Sequence, residues 1–252
     1  MTKPMIIAHR GKNEFFPENT LISFQEAIKV GADAIELDVQ FTKDKRLVVH
    51  HDYLLGHTDN GEDFIFNKDL DYIKSLDAGS WFGTEFKDEK IPTLDEIFHN
   101  FGDKVNYEIE LKGFDNEFIK TVLSLIDKYN ILGRVEITSS NQPMIIAAKK
   151  LIPKVKTGIF ISSKQSWMDV GIAQRIATSQ VLMGNFNVAH CPLDILTQKW
   201  VDYLHSLNIK VHAANCDEVG DLETAFHLKV DQLSTNKLER ALDLRKSFLD
   251  IK

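Results

Sequence analysis

Short apolar runs alternate with longer stretches of helical periodicity along most of the chain. Runs of strand length fall near 5–8, 33–38, 105–111, 134–138, 155–160, 180–185, 209–214 and 230–234, most of them rich in β-branched residues. Between them, apolar residues return every three or four positions near 19–30, 93–101, 116–129, 141–150, 165–177, 194–207, 218–228 and 236–247, which predicts helices. This alternation implies an α/β protein with a parallel sheet, and eight such units in 252 residues fit a closed (β/α)8 barrel. A doubly wound open sheet is the competing arrangement. It would gather ligand groups at one switch point, whereas the ionisable strand residues here are spread along the sequence.

One stretch breaks the rhythm. Between Asp38 and the run beginning at Arg46 there are too few residues for a parallel crossover, which needs a dozen or more. The two runs are therefore expected to pair as an antiparallel hairpin turning near Lys43-Asp44-Lys45, returning His51 to the neighbourhood of Glu36 and Asp38. The stretch that follows is rich in turn residues and scattered aromatics. The segment 39–92 is expected to be a small insertion between the second strand and the second helix, over the mouth of a single barrel domain.

Composition narrows the classes of function. With 43% apolar side chains the chain can bury one substantial core, and its formal charge of −7 is a poor match for a nucleic-acid binder. Cys191 and Cys216 lack metal-ligand spacing and read as free thiols in a reducing compartment. The first apolar run is too short for a signal sequence, and no run approaches the roughly 18 residues that span a bilayer. The expectation is a soluble, cytoplasmic protein without stable membrane insertion. Its oligomeric state leaves no mark on the sequence.

The candidate chemistry sits on the strands. Glu36 and Asp38 are two residues apart and share a face, which on a barrel strand is the interior. Glu110 has the same placement on the next barrel strand, although Glu108 shares its face and one of the two could lie at the surface. Carboxylates so gathered would repel, and a hard divalent cation, Mg²⁺ or Ca²⁺, would relieve them through oxygen ligation. Zinc fits less well, because the cluster offers no sulfur and no assured imidazole. His9 and Arg10 pair a titratable imidazole with a fixed cation, and Lys112 adds a second positive charge on the face of Glu110. Two cations and a metal around one spot describe a site for a phosphate diester. His50 and His51 point to opposite sides of a strand, and spacing alone does not choose between them. Pro17-Glu18-Asn19-Thr20 starts a helix, with Asn19 or Thr20 as N-cap.

Taken together, HRG at 9–11, PENT at 17–20, ELDVQFTKD at 36–44, HHD at 50–52, LDAGSWF at 76–82, IPTLDEIF at 91–98 and EIELK at 108–112 resemble the glycerophosphodiester phosphodiesterase family. The resemblance runs through essentially the whole chain. It implies a phosphatidylinositol-phospholipase-C-like TIM barrel that hydrolyses a small glycerophosphodiester to an alcohol and sn-glycerol 3-phosphate. It further implies a divalent cation on Glu36, Asp38 and Glu110, acid–base catalysis by His9 and His51, and phosphate contacts from Arg10 and Lys112. The C-terminal half departs from the family pattern: His212 stands where a tryptophan is usual, and Asn236 where an aspartate is. These departures bear on the substrate pocket, to which Phe160, Phe186 and Trp81 are candidate apolar contributors. Two alternatives are a barrel phospholipase D acting on lysophospholipids or sphingolipids and a non-catalytic binding barrel. A pure binder would have no use for an acid–base pair.

Overall fold

In the computed structural model, which describes residues 3–250 and side chains through residue 248, the apolar runs form β1 (Met5–Ala8), β2 (Ala34–Phe41), β3 (Leu47–Val49), β4 (Asn106–Leu111), β5 (Val135–Ser139), β6 (Lys156–Phe160), β7 (Val188–Cys191), β8 (Lys210–Ala213) and β9 (Gln232–Thr235). All but β3 are parallel, and β1 pairs with both β9 and β2, closing the sheet into a barrel. The helices are α1 (Leu21–Lys29), α2 (Leu70–Ser75), α3 (Leu94–Phe101), α4 (Asn116–Lys128), α5 (Gln142–Leu151), α6 (Val170–Gly184), α7 (Gln198–Ser206), α8 (Val219–His227) and α9 (Leu238–Asp250). Their starts follow local chemistry. Thr93 and Glu96 form a reciprocal capping box for α3, and Asp115 accepts from Phe118 N to begin α4. Among the described residues no helix is long and apolar enough to cross a membrane.

Strand alternation sorts the side chains into two populations. On β2, Ile35, Leu37 and Val39 join the core beneath the helices, as do Tyr107, Ile109 and Leu111 on β4. The intervening residues face the barrel axis, and the register sets Glu36 opposite Glu108 and Asp38 opposite Glu110. Glu108 next pairs with Glu136, while His190 of β7 lies opposite His212 of β8. This barrel interior is therefore strongly polar. Each of these groups must find a partner there or be costly to bury.

Three expectations need correction. Residues 180–185 are not a strand: burial of Ala173, Ala177, Thr178 and Val181 keeps a helical period, while Leu182 and Met183 are exposed. The helix read at 165–177 accordingly runs from Val170 to Gly184, Asn185 ends it in the left-handed conformation (φ 50°), and the strand follows at Val188. Glu108 is not at the surface, being buried in the interior one level from Glu110. Finally, β2 continues past Asp38 to Phe41, because antiparallel pairing with β3 extends it.

That pairing is the hairpin, with Val39, Gln40 and Phe41 opposite Val49, Val48 and Leu47. Thr42 Oγ1 accepts from Arg46 N, and Lys45 supplies the left-handed residue (φ 60°) that closes the turn. Beyond β3, Leu55, Ile65, Ile73, Leu76, Ala78 and Ile91 pack with Val48 in a second apolar cluster. The segment thus carries a small core of its own.

Candidate active site

The chain leaves β1 through two consecutive left-handed residues, Arg10 (φ 54°) and Gly11 (φ 88°). A side chain at Gly11 would collide with Ser23, so only glycine allows α1 to pack this close to the turn. Thr20 is the N-cap of α1. Asn19, also left-handed (φ 56°), instead turns its side chain inward and donates from Nδ2 to Asp38 Oδ2 at 2.9 Å. Glu18 accepts from Arg10 Nη1 at 2.9 Å. The helix-start motif therefore also orients a site residue and its cation, which its capping chemistry alone does not reveal.

Glu36, Asp38 and Glu110 converge, each offering an oxygen within 4.8 Å of the others. Glu36 and Asp38 are 3% and 1% exposed, too buried for water to screen their repulsion. Lys112 Nζ lies 2.8 Å from Glu110 Oε1 and 3.2 Å from Asp38 Oδ1, and Arg10 Nε is 3.5 Å from Asp38 Oδ2. Burial acts to raise Asp38, but Lys112 and Arg10 outweigh it and hold the carboxyl below its ordinary value. Glu36 is pushed well up, by burial and then by the charges of Asp38 and Glu110. Burial and Asp38 raise Glu110 as well. Two of the three carboxyls thus lack enough positive charge around them.

His9 is held from behind. Asn236 Oδ1 is 2.8 Å from His9 Nδ1, while Asn236 donates through Nδ2 and its backbone N to the two oxygens of Asp217, each at 2.7 Å. Because Asp217 accepts from the amide nitrogen, the amide oxygen faces the ring. His9 is thereby assigned the tautomer with Nδ1–H, leaving Nε2 bare at 3.9 Å from Glu36 Oε2. Burial, then Arg10, lowers the His9 pKa below its usual 6.5. His51 rests its Nδ1 against Asp52 Oδ1 at 2.7 Å, with its side chain 34% exposed toward solvent. Burial acts to raise Asp52, but the bonds from His57 and His51 outweigh it and keep the carboxyl ionised. His50 points the other way and is buried against Asp59 Oδ2 (3.0 Å) and the Asp52 carbonyl (2.9 Å), where it ties down the insertion. The two adjacent rings thus have different surroundings, His50 inside the insertion and His51 on its more open side.

A cavity of about 190 Å³ lies between His9, Glu36, Glu110 and Phe160, with Glu108 and His212 also on its wall. Of the aromatic candidates only Phe160 lines it. Phe186 is in the core, and Trp81 sits on the insertion with its indole N–H bonded to the Ala78 carbonyl. His212 is wholly buried and stacked on His190 at 4.0 Å, deeper than a position at the rim. A larger groove of about 670 Å³ between Lys45, Asp95 and Lys120 contains none of these groups and is read as a surface furrow along α3 and α4.

Residues 9–240 match the glycerophosphoryl diester phosphodiesterase family. A glycerophosphodiester phosphodiesterase of Caldanaerobacter subterraneus is 45% identical over 165 residues, which span 62% of this chain and 66% of that protein. The protein of the same name from Bacillus subtilis is 32% identical over 250 residues, spanning 92% of this chain and 83% of that one. Among solved structures, a phosphodiesterase of Oleispira antarctica in complex with the product sn-glycerol-3-phosphate has a TM-score of 0.83 at 25% identity, covering 98% of this chain and 97% of that chain.

Proposed function

The chain belongs to the glycerophosphoryl diester phosphodiesterase family, and from that premise we propose that it hydrolyses small glycerophosphodiesters to an alcohol and sn-glycerol 3-phosphate with the help of a divalent cation. The observation that carries this reading is the meeting of a carboxylate triad with two cations beside it, an oriented His9 on the wall of the same cavity, and the Asp52-held His51 close enough to act electrostatically on Asp38 and Glu110. The donors fit a hard cation, Mg²⁺ or Ca²⁺. Glu36, Asp38 and Glu110 offer only oxygen, Glu36 and Glu110 are short of positive charge, and Asn19 Oδ1 is a further buried oxygen without a hydrogen-bond partner. When bound, such a cation offsets charge on a phosphoryl oxygen and makes the phosphorus more electrophilic.

The protein's own groups account for the remaining requirements. Arg10 and Lys112 set two cations against the non-bridging phosphate oxygens, and Arg10 Nε is buried with no hydrogen-bond partner of its own. The bare Nε2 of His9 accepts the proton of the nucleophile, water or an adjacent substrate hydroxyl. His51, its ring held by the Asp52 carboxylate, serves as the acid that delivers a proton to the leaving alkoxide. The test is release of sn-glycerol 3-phosphate from glycerophosphocholine, abolished by chelator and restored by Mg²⁺ or Ca²⁺. Turnover only of lysophospholipids or sphingolipids would move the protein to the related phospholipase D class. Tight substrate binding without turnover under every metal would make it a binding barrel.

The His9–Asn236–Asp217 chain adds a second expected result. Asn236→Leu should lower kcat by a substantial part of the about 10²–10⁴-fold that a general base contributes, with metal affinity unchanged. Loss of the Asn236 bond, which favours the charged ring, should also move the acid limb of kcat/KM to lower pH. An unchanged pH profile with full kcat would remove His9 from the base role.

A further inference from the structure

A second cluster lies deeper on the barrel axis, where Glu108, His190 and His212 are 3%, 1% and 0% exposed. His190 Nδ1 is 3.5 Å from Glu108 Oε1, and His212 Nδ1 is 3.4 Å from Glu108 Oε2. Their remaining bonds fix the tautomers. His190 Nε2 is 2.6 Å from Glu136 Oε1, so it carries a hydrogen donated to that carboxylate. His212 Nε2 is 3.0 Å from Ser234 Oγ and is assigned as donor there, because Gln232 Nε2, which can only donate, lies 3.2 Å from His212 Nδ1. Both rings therefore turn Nδ1 lone pairs toward a carboxylate. At these distances no hydrogen bond joins them, and both Glu108 Oε2 and His190 Nδ1 are buried without a hydrogen-bond partner.

From this geometry we infer a second, buried divalent-cation site, built from Glu108, His190 and His212 and suited to a borderline metal of the zinc type rather than to Mg²⁺ or Ca²⁺. Two donors about 2.0–2.1 Å from a tetrahedral Zn²⁺ stand roughly 3.3 Å apart, close to the observed spacings. All three residues offer ligand atoms lying within 4.8 Å of one another. Two imidazoles and one carboxylate are a zinc donor set, whereas the triad at Glu36, Asp38 and Glu110 offers oxygen alone. The outer contacts agree. Glu136 accepts from the far nitrogen of His190, the arrangement that orients metal-bound imidazoles and makes them better donors. A side chain at Gly158 would strike both His190 and Glu136, so glycine leaves room for that pair. Gln232 can release His212 Nδ1 while keeping its 3.0 Å bond to Glu136 Oε2. Because Glu108 and His212 also line the 190 Å³ cavity, an ion can enter through it, and the site does not depend on the hydrolase reading.

Co²⁺ tests this without reference to activity. Of the Co²⁺ taken up by protein stripped by chelator, one equivalent should give the intense visible absorption of a tetrahedral nitrogen-containing site, any held by the oxygen triad adding only pale absorption. Its proton spectrum should show two exchangeable, paramagnetically shifted imidazole N–H signals, from the far nitrogens of His190 and His212. The Glu36→Gln/Asp38→Asn double variant should keep both features, while His190→Gln and Glu108→Gln, each checked for folding by circular dichroism, should lose them. A wild-type spectrum with only the pale absorption of six oxygen ligands, or a band that survives in folded His190→Gln, would overturn the proposal. So would a buried carboxylic-acid carbonyl stretch, absent from Glu108→Gln, that persists unchanged under excess metal. If His190→Gln does not fold, the shifted N–H signals and Glu108→Gln still decide the matter.

Discussion

Replacing Glu36, Asp38 or Glu110 by alanine is expected to abolish cation-dependent turnover, lowering kcat/KM by about 10³-fold or more, equivalent to roughly 4 kcal/mol of transition-state stabilisation. The reason is electrostatic. The three carboxyls share one spot with Lys112 and Arg10 as its nearest fixed cations, and Glu36 and Glu110 are pushed upward by burial and by the neighbouring carboxylates. Removing one donor leaves a bound cation under-coordinated and the phosphate charge uncompensated. The effect on folding should run the other way. A carboxyl whose pKa is raised in the folded state stabilises the fold below its unfolded pKa and loses that contribution as pH rises through the folded value. At neutral pH in chelator, above the ordinary carboxyl value, Glu36 has given up part of that contribution, and isosteric Glu36→Gln should melt no lower than the wild type. Added Mg²⁺ or Ca²⁺ should raise the melting temperature of the wild type more than that of Glu36→Gln. Full activity in Glu110→Ala would sink the assignment.

The way these residues come together explains what could be read from sequence. The barrel was legible because alternation of short apolar runs with helical stretches is a local property, and the hairpin because Asp38 and Arg46 are too close for any other connection. The carboxylate triad was legible through the two-residue period of β2 and β4. The strand β7 was misread because Val181, Leu182 and Met183 have strand-like composition, while only their burial reveals the helix. Asn19 was hidden behind a capping motif that fully accounts for Thr20. The Asn236 support of His9 joins residues 227 positions apart, and no local spacing encodes it. Asn236 stood out as a departure from the family pattern, but its contact with His9 emerges only when β9 returns beside β1. His212 was similarly visible as an exception. Its meaning depends on His190, which the misplaced strand had removed from view.

The second large effect concerns His51 and is best separated by the leaving group. His9→Ala and His51→Ala should each lower kcat on glycerophosphocholine by at least about 10²–10⁴-fold, with metal affinity little changed, because neither ring is among the oxygen donors of the triad. The two losses have different origins. His9 is half-buried, its pKa lowered by desolvation and by Arg10, and backed by the Asn236 amide, which suits a group that must accept a proton. His51 is more exposed and leans on the Asp52 carboxylate, which orients its ring for delivering one. An alkoxide leaves poorly unless protonated, and Arg10 and Lys112 can offset phosphorane charge without protonating it. A nitrophenolate leaves readily without that help. On a nitrophenyl phosphodiester, His51→Ala should therefore recover most of its lost rate, whereas His9→Ala should remain impaired on both substrates. Equal losses for His51→Ala on the two substrates would reject His51 as the acid while leaving its presence in the site intact. Asp52→Asn gives an independent reading: removing the carboxylate takes away the partner that holds the His51 ring through Nδ1, so kcat on glycerophosphocholine should fall while the nitrophenyl substrate hardly registers the change.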